Sequence, residues 1–170
     1  MEVAIIMGSD SDWGVMKKSV DVFKNFGIEF AVTVASAHRT PQKVQAFVEK
    51  CHAQGVKIFI AAAGCAAHLA GVVAAHTTRP VIGVPINSEP FKGLDSLLST
   101  VQMPGGVPVA TMAVDGAKNA ALFAAEILAL NNESLKEKLN EYRKNMVEEV
   151  ERKDDSIQRA LAEIKNEVIE

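Results

Sequence analysis

Five short runs read as strands, and the first of them, with no polar alternation, most narrows what the chain can fold into, since that is the pattern of a buried parallel strand. The runs lie at Val3-Ala4-Ile5-Ile6-Met7, at Phe30-Ala31-Val32-Thr33-Val34, and over residues 57–63, 80–84 and 107–113. Segments of helical spacing separate them. Val15, Met16, Val20, Phe23 and Phe26 recur on one helical face, with Gly27 placed to cap its end. Thr40-Pro41 reads as an N-cap followed by proline at the first helical position, opening a helix that ends near Gly55. Two more helices are predicted over residues 66–77 and 117–130. Strands alternating with helices of about 10–15 residues form βαβ units around a parallel sheet. Right-handed crossovers then give a three-layer αβα sandwich of the flavodoxin/Rossmann-like kind. Ligands in such sheets bind at the carboxyl ends of the strands. Function is therefore expected just after Met7, Val34, Ala63, Val84 and Ala113.

Composition narrows the class. A chain of 170 residues fits one domain and buries roughly 70% of its unfolded surface, so it needs no disulfide or metal to fold. A 48% hydrophobic and 23% charged content excludes disordered and fibrous chains. A net charge of −3 and only 5% aromatics argue against a nucleic-acid or anionic-membrane binder. The apolar run over residues 58–75 contains Gly64, His68 and Gly71, so it reads as a strand, a turn and a helix rather than a membrane span. Met1-Glu2-Val3 enters the first strand with no basic leader, so the expected location is the cytoplasm and the sequon at residues 132–134 is accidental. Cys51 and Cys65 are too few for a metal framework, and no His, Cys or carboxylate set has metal-ligand spacing.

Charge divides the chain. Residues 1–130 hold 10 basic and 10 acidic side chains, and residues 131–170 hold 8 and 11. The first part reads as a compact αβα domain, where the chemistry is to be sought, and the second as a solvated helical arm. In the arm, Leu135, Leu139, Tyr142, Met146, Val150, Ile157, Leu161, Ile164 and Val168 form an apolar stripe along one or two helices. Glu148/Arg152 and Glu149/Lys153 support it as i,i+4 pairs. The stripe is long for its own core, which favours packing on a neighbouring subunit.

Three post-strand turns carry candidate chemistry. Gly8-Ser9-Asp10-Ser11-Asp12 sets N–H groups and hydroxyls at a helix start, which suits a phosphate, and Asp12 can accept from a ribose or an amine. Capping by Ser11 or Asp10 explains part of this cluster. No GxxxxGK[ST] or GxGxxG is present, so neither an ATP loop nor a dinucleotide site is supported. In Ser36-Ala37-His38-Arg39-Thr40-Pro41, His38 can move a proton near neutrality and Arg39 offers a donor fork to an anion. In Gly64-Cys65-Ala66-Ala67-His68-Leu69-Ala70-Gly71, small residues permit close approach to a ligand, while His68 within a helix, taken alone, fits a structural role better than a functional one. His52 and His76 fit helix C-termini. Two further stretches, residues 85–95 with Asn87, Ser88 and Lys92 and residues 102–108, can shape a lid or pocket wall.

Taken together these turns resemble the PurE family of de novo purine biosynthesis. The likeness continues through Gly83-Val84-Pro85, Gly93-Leu94-Asp95-Ser96-Leu97, Gln102-Met103-Pro104-Gly105-Gly106-Val107-Pro108 and Lys118-Asn119-Ala120-Ala121. It spans about residues 3–150. The resemblance implies a mutase, an isomerase that moves the carboxylate of N5-carboxyaminoimidazole ribonucleotide (N5-CAIR) to ring carbon 4, giving carboxyaminoimidazole ribonucleotide (CAIR) on the route to IMP. His38 would be the general acid/base. Gly8, Ser9, Asp10, Ser11, Asp12, Ser36, Ala37 and Arg39 would hold the nucleotide, with Arg39 and Ser9 near its phosphate. Gly64, Cys65, Ala66, Ala67, His68 and Leu69 would surround the carboxylate. No ATP, metal or organic cofactor is implied, and the implied assembly is a homo-octamer. Cys65 stands where the family usually has Gly, and Ala70 where Pro is common. Two other readings are direct carboxylation of aminoimidazole ribonucleotide by CO2 and a non-catalytic phosphoribosyl-ligand binding module.

Overall fold

A computed structural model describes residues 1–167. Five strands, β1 (Val3–Met7), β2 (Phe30–Val34), β3 (Ile58–Ala63), β4 (Val81–Pro85) and β5 (Ala110–Thr111), form one sheet in the order β2-β1-β3-β4-β5. Every pairing is parallel. Six helices follow in chain order: α1 (Trp13–Phe26), α2 (Pro41–Ala53), α3 (Leu69–Ala75), α4 (Leu94–Val101), α5 (Ala117–Ala129) and α6 (Glu133–Glu167). The architecture is the expected αβα sandwich with a long C-terminal helix.

The absence of alternation in β1 and β4 has its physical cause here. All five residues of each strand are buried, so both faces are covered and neither tolerates a polar side chain. Ala4 and Ile6 of β1 and Phe59 and Ala61 of β3 pack with Val44, Val48 and Cys51 of α2 and Leu69 and Val73 of α3. The alternation of strand side chains sends Val3, Ile5, Ile58 and Ile60 to the opposite face. Ser19 of α1 donates to the carbonyl of Ala117 at 2.7 Å, tying α1 to the start of α5. Gly27 ends α1 at φ 72°, a left-handed conformation that glycine adopts without strain.

Several element boundaries differ from expectation. β5 is two residues long rather than spanning 107–113. Pro108 has no N–H for the ladder, and pairing to β4 is confined to Ile82↔Ala110 and Gly83↔Thr111. α3 begins at Leu69, not residue 66, because residues 64–68 remain a loop with Cys65 at φ 53°. The sequence stripe did not reveal α4, whose amphipathicity is inverted. Its buried residues are Ser96 and Thr100, whereas Leu98 is 50% exposed. Ser96 Oγ donates to the carbonyls of Ile86 and Gly93, both at 2.9 Å, and Thr100 Oγ1 donates to the carbonyl of Ser96 at 2.7 Å.

The chain divides into two compact units, Met1–Ile127 and the part from Leu128 onward. The second unit is dominated by α6, one helix rather than two. The Asn132 side chain accepts from the Leu135 N–H at 3.1 Å at its start. Leu135 and Leu139 are buried, and Met146, Val150, Ile157, Leu161 and Ile164 are exposed. Val168 lies outside the described residues. No helix among the described residues is long and apolar enough to cross a membrane.

Gly83 lets α4 approach β4 closely. A Cβ there would overlap Thr100 Cγ2 and lie 3.0 Å from Val109 Cγ1. Gly83→Ala should therefore destabilise the fold by about 1–3 kcal/mol. A lowered urea midpoint at unchanged slope checks this, and an unchanged midpoint would show that α4 yields freely.

Candidate functional site

The strand order reverses at β1: the chain leaves it for β2 on one side and later returns to β3 on the other. At that switch point the turns diverge and leave a crevice. A cavity of about 460 Å³ occupies it, within the range of ~300–1,000 Å³ usual for small-molecule sites. The turns after β1, β2, β3 and β4 all contribute to its wall. The turn after β5, the edge strand three places from β1, does not. Its Asp115 acts indirectly, accepting the Asn87 N–H at 2.9 Å.

The first turn is built on itself. Ser9 caps a short 3₁₀ turn (Asp10–Asp12), its Oγ accepting the Ser11 N–H at 3.3 Å, while Asp12 Oδ2 accepts the Ser9 N–H at 3.1 Å. The capping residue is thus Ser9, in a reciprocal box with Asp12, rather than Ser11 or Asp10. Asp10 Oδ1 accepts from Ser9 Oγ and the Ser11 N–H, both at 3.1 Å, and Asp10 does not line the cavity. Gly8, Ser9, Ser11 and Asp12 do. Asp12 is only 5% exposed. Burial, the strongest influence, raises its carboxyl above the ordinary value, opposed by hydrogen bonds from the Ser9 N–H, the Ser11 hydroxyl and the Gly8 N–H.

The second turn is fixed by Thr40. Its Oγ1 accepts the Ser36 N–H at 2.9 Å and donates to the Ser36 carbonyl at 3.2 Å. The hydroxyl is spent there, so Thr40 holds the expected N-cap position of α2, followed by Pro41, without a side-chain cap bond. Arg39 reaches back across the crevice. Its Nη2 donates to the Gly8 carbonyl at 3.3 Å and its Nε lies 3.5 Å from Ser36 Oγ. Ser36, Ala37, His38 and Arg39 line the cavity.

From the third turn, Gly64, Cys65, Ala66, His68 and Leu69 line the cavity, whereas Ala67 is buried away from it. His68 sits at the N-cap of α3 rather than inside the helix. Its Nδ1 lies 2.8 Å from His38 Nε2, with the rings edge to face. The two histidines are 30 residues apart in sequence, and the level carboxyl ends of β2 and β3 bring them together.

The fourth turn adds Ile86, Asn87 and Ser88, residues that the sequence marked only as part of a weak polar stretch. Ser88 Oγ accepts the Cys65 N–H at 3.1 Å and lies 3.5 Å from Cys65 Sγ. It would stand 3.2 Å from a Cβ on Gly64. Ser88 thereby holds the β3 turn in place. Residues 102–108 do not line this cavity. Gly106, Val107 and Pro108 border a separate groove of about 980 Å³, whose His52 Nε2 is bonded to Thr77 Oγ1 at 2.7 Å. Among the described residues no group of three His, Cys, Asp or Glu is placed to hold a metal ion.

In chemical terms, the cavity wall carries a hydroxyl-rich turn, an arginine, a histidine pair and a small-residue loop. A model of the AIR carboxylase family matches residues 2–149. The chain is 52% identical over 151 residues to the N5-carboxyaminoimidazole ribonucleotide mutase of Pyrococcus horikoshii, covering 89% of this chain and 85% of that one. It is 49% identical over 150 residues to the mutase of the same name from Escherichia coli, covering 87% and 89%. Among solved structures, Treponema denticola PurE superposes with a TM-score of 0.83 at 32% identity, covering 91% of this chain and 96% of that one.

The raised carboxyl of Asp12 has a stability consequence. Because the folded state holds this proton more tightly than the unfolded chain, the buried charge costs nothing below the unfolded pKa. The cost grows as pH rises through the folded one. Asp12→Asn should therefore gain stability relative to the parent as pH rises above the ordinary carboxylate value of about 4. Denaturant midpoints across that range check the slope, and a constant difference would contradict it.

Proposed function

The chain belongs to the AIR carboxylase (PurE) family, and we propose that it is the isomerase of purine biosynthesis that converts N5-CAIR to CAIR. The observation that carries this reading is the juxtaposition of His38 with Arg39, the Gly8–Asp12 turn and the small-residue loop of residues 64–69 at one switch point. It is supported by about half-identical mutases over most of the chain.

The mechanism follows from those groups. Arg39, through the guanidinium N–H groups it does not spend on Gly8 and Ser36, and the Ser9 hydroxyl hold the phosphate. Asp12 keeps acceptor capacity for a ribose hydroxyl. The migrating carboxylate lies against the loop of residues 64–69. The substrate carboxylate is a carbamate. Protonated His38 gives its proton to the carbamate nitrogen, and the N–C bond breaks to leave an amine and CO2. The small-residue loop keeps CO2 beside the ring. Ring carbon 4 attacks it, a C–C bond forms, and neutral His38 removes the proton from carbon 4. The proton returns to its donor and the carboxylate is conserved, so the reaction is an isomerisation.

We further propose a cytoplasmic homo-octamer in which residues 131–170 pack on a neighbouring copy. The exposed α6 residues Val150, Ile157 and Leu161 support this, as does the outward apolar face of α4.

His38→Asn should lower turnover by about 10²–10⁴-fold with affinity for the phosphorylated ligand largely kept. Unchanged turnover would exclude the acid/base role. Arg39→Ala should instead weaken ligand binding first, and unaltered affinity would remove the arginine from the phosphate. For assembly, Ile157→Glu combined with Leu161→Glu should reduce the mass measured by light scattering. An unaltered mass would exclude the arm as a contact.

A further inference from the structure

Ser88, from the turn after β4, lines the cavity and is bonded to the loop of residues 64–69, against which the migrating carboxylate was placed above. We propose that the Ser88 hydroxyl donates to the carboxylate of the bound nucleotide, so that Ser88 makes the site select carboxylated nucleotides over uncarboxylated ones. This rests on the function proposed above and deepens it by naming the donor that recognises the carboxylate.

A count of hydrogens leads to this assignment. A serine hydroxyl can accept two hydrogen bonds and donate one. Ser88 Oγ accepts the Cys65 N–H at 3.1 Å, and its second contact is Cys65 Sγ at 3.5 Å. Sulfur is a weak donor and a weak acceptor, so that contact leaves the hydroxyl hydrogen without a strong acceptor in either orientation. Among the described residues Ser88 Oγ has no further hydrogen-bond partner. A carboxylate oxygen entering the cavity therefore takes this hydrogen from the sulfur. Accepting the Cys65 N–H also polarises the O–H and strengthens it as a donor. The Cys65 N–H is spent within the wall, and the Ser88 O–H replaces it as the donor that a ligand can reach.

The hydroxyl is held in place before any ligand arrives. A Cβ on Gly64 would stand 3.2 Å from Ser88 Oγ, so the glycine keeps the hydroxyl and the loop in contact. Asp115 Oδ1 accepts the Asn87 N–H at 2.9 Å, and Ser96 Oγ donates to the Ile86 carbonyl at 2.9 Å. The two residues before Ser88 are thus tied by their backbones, which reduces the ordering cost of using its hydroxyl in binding. A carboxylate suits such a donor, because a hydrogen bond to an ionised acceptor is roughly twice as strong as one between neutral groups. A nucleotide without the carboxylate offers nothing there, and this difference is the basis of selection.

The test titrates the full-length protein calorimetrically with CAIR and with aminoimidazole ribonucleotide, which differ by the carboxylate on ring carbon 4. Ser88→Ala should weaken CAIR binding about 10–100-fold and aminoimidazole ribonucleotide binding by less than about threefold. Ser88→Cys, close in size but a weak donor, should behave in the same way. Ser88→Thr, which keeps the hydroxyl, should recover part of the CAIR affinity, a rescue that a merely space-filling serine would not require. Equal weakening of both nucleotides, or unchanged CAIR affinity, in whichever of the alanine and cysteine variants folds would overturn the assignment of Ser88. Parent protein that bound neither nucleotide would overturn the function proposed above and this inference with it. The ratio of the two affinities in the variants bears on Ser88 alone.

Discussion

The parallel pairing of β1 with both β2 and β3 is the constraint on which the site depends. Met7 is level with Val34 on one side and with Ala62 on the other. Three turns therefore leave the sheet at one height, and the chain can place His38 and His68 in contact although neither turn specifies the other. Burial on both faces holds β1 to this register, because a slip by one residue would exchange the side chains that face α2 and α3 with those on the opposite face. The chemistry is thus set by backbone hydrogen bonds and apolar packing below it.

Around the crevice, polar groups are tied to one another before any ligand arrives. Ser9 with Asp12, Thr40 with Ser36, Arg39 with Gly8 and Cys65 with Ser88 each cross or close a turn. These contacts fix loops that would otherwise lose conformational entropy on binding. They also leave outward donors: the Arg39 guanidinium has further N–H groups for an anion. Cys65 occupies a left-handed backbone position where glycine is the less strained choice, and the Ser88 hydroxyl holds its N–H there.

Much of this was legible in the sequence, for identifiable reasons. A buried parallel strand announces itself by missing alternation, as β1 does, and the apolar runs of β2, β3 and β4 match their strands within a residue, although β2 is itself partly exposed. Gly27 marked the end of α1 because a left-handed cap calls for glycine. α4 escaped notice because Ser96 and Thr100 face inward and Leu94 and Leu98 face outward, the reverse of the pattern that periodicity detects. The apolar residues on both sides of Pro108 look like one strand over 107–113, but proline withholds the ladder hydrogen bond and β5 is only Ala110–Thr111. The contact between His38 and His68 depends on register across three strands, which no local spacing encodes. Ser88 was hidden for the same reason, since its partner is 23 residues away.

The central claim is that the carboxylate migrates without leaving the site. The measurement that tests it most directly follows N5-CAIR labelled with 13C in its carboxylate, by NMR, in CO2-depleted buffer without ATP or added metal. The account predicts that the label reappears on ring carbon 4 of the product. Label released as bicarbonate, with product forming only when aminoimidazole ribonucleotide and abundant bicarbonate are supplied, would contradict it and make the enzyme a direct carboxylase.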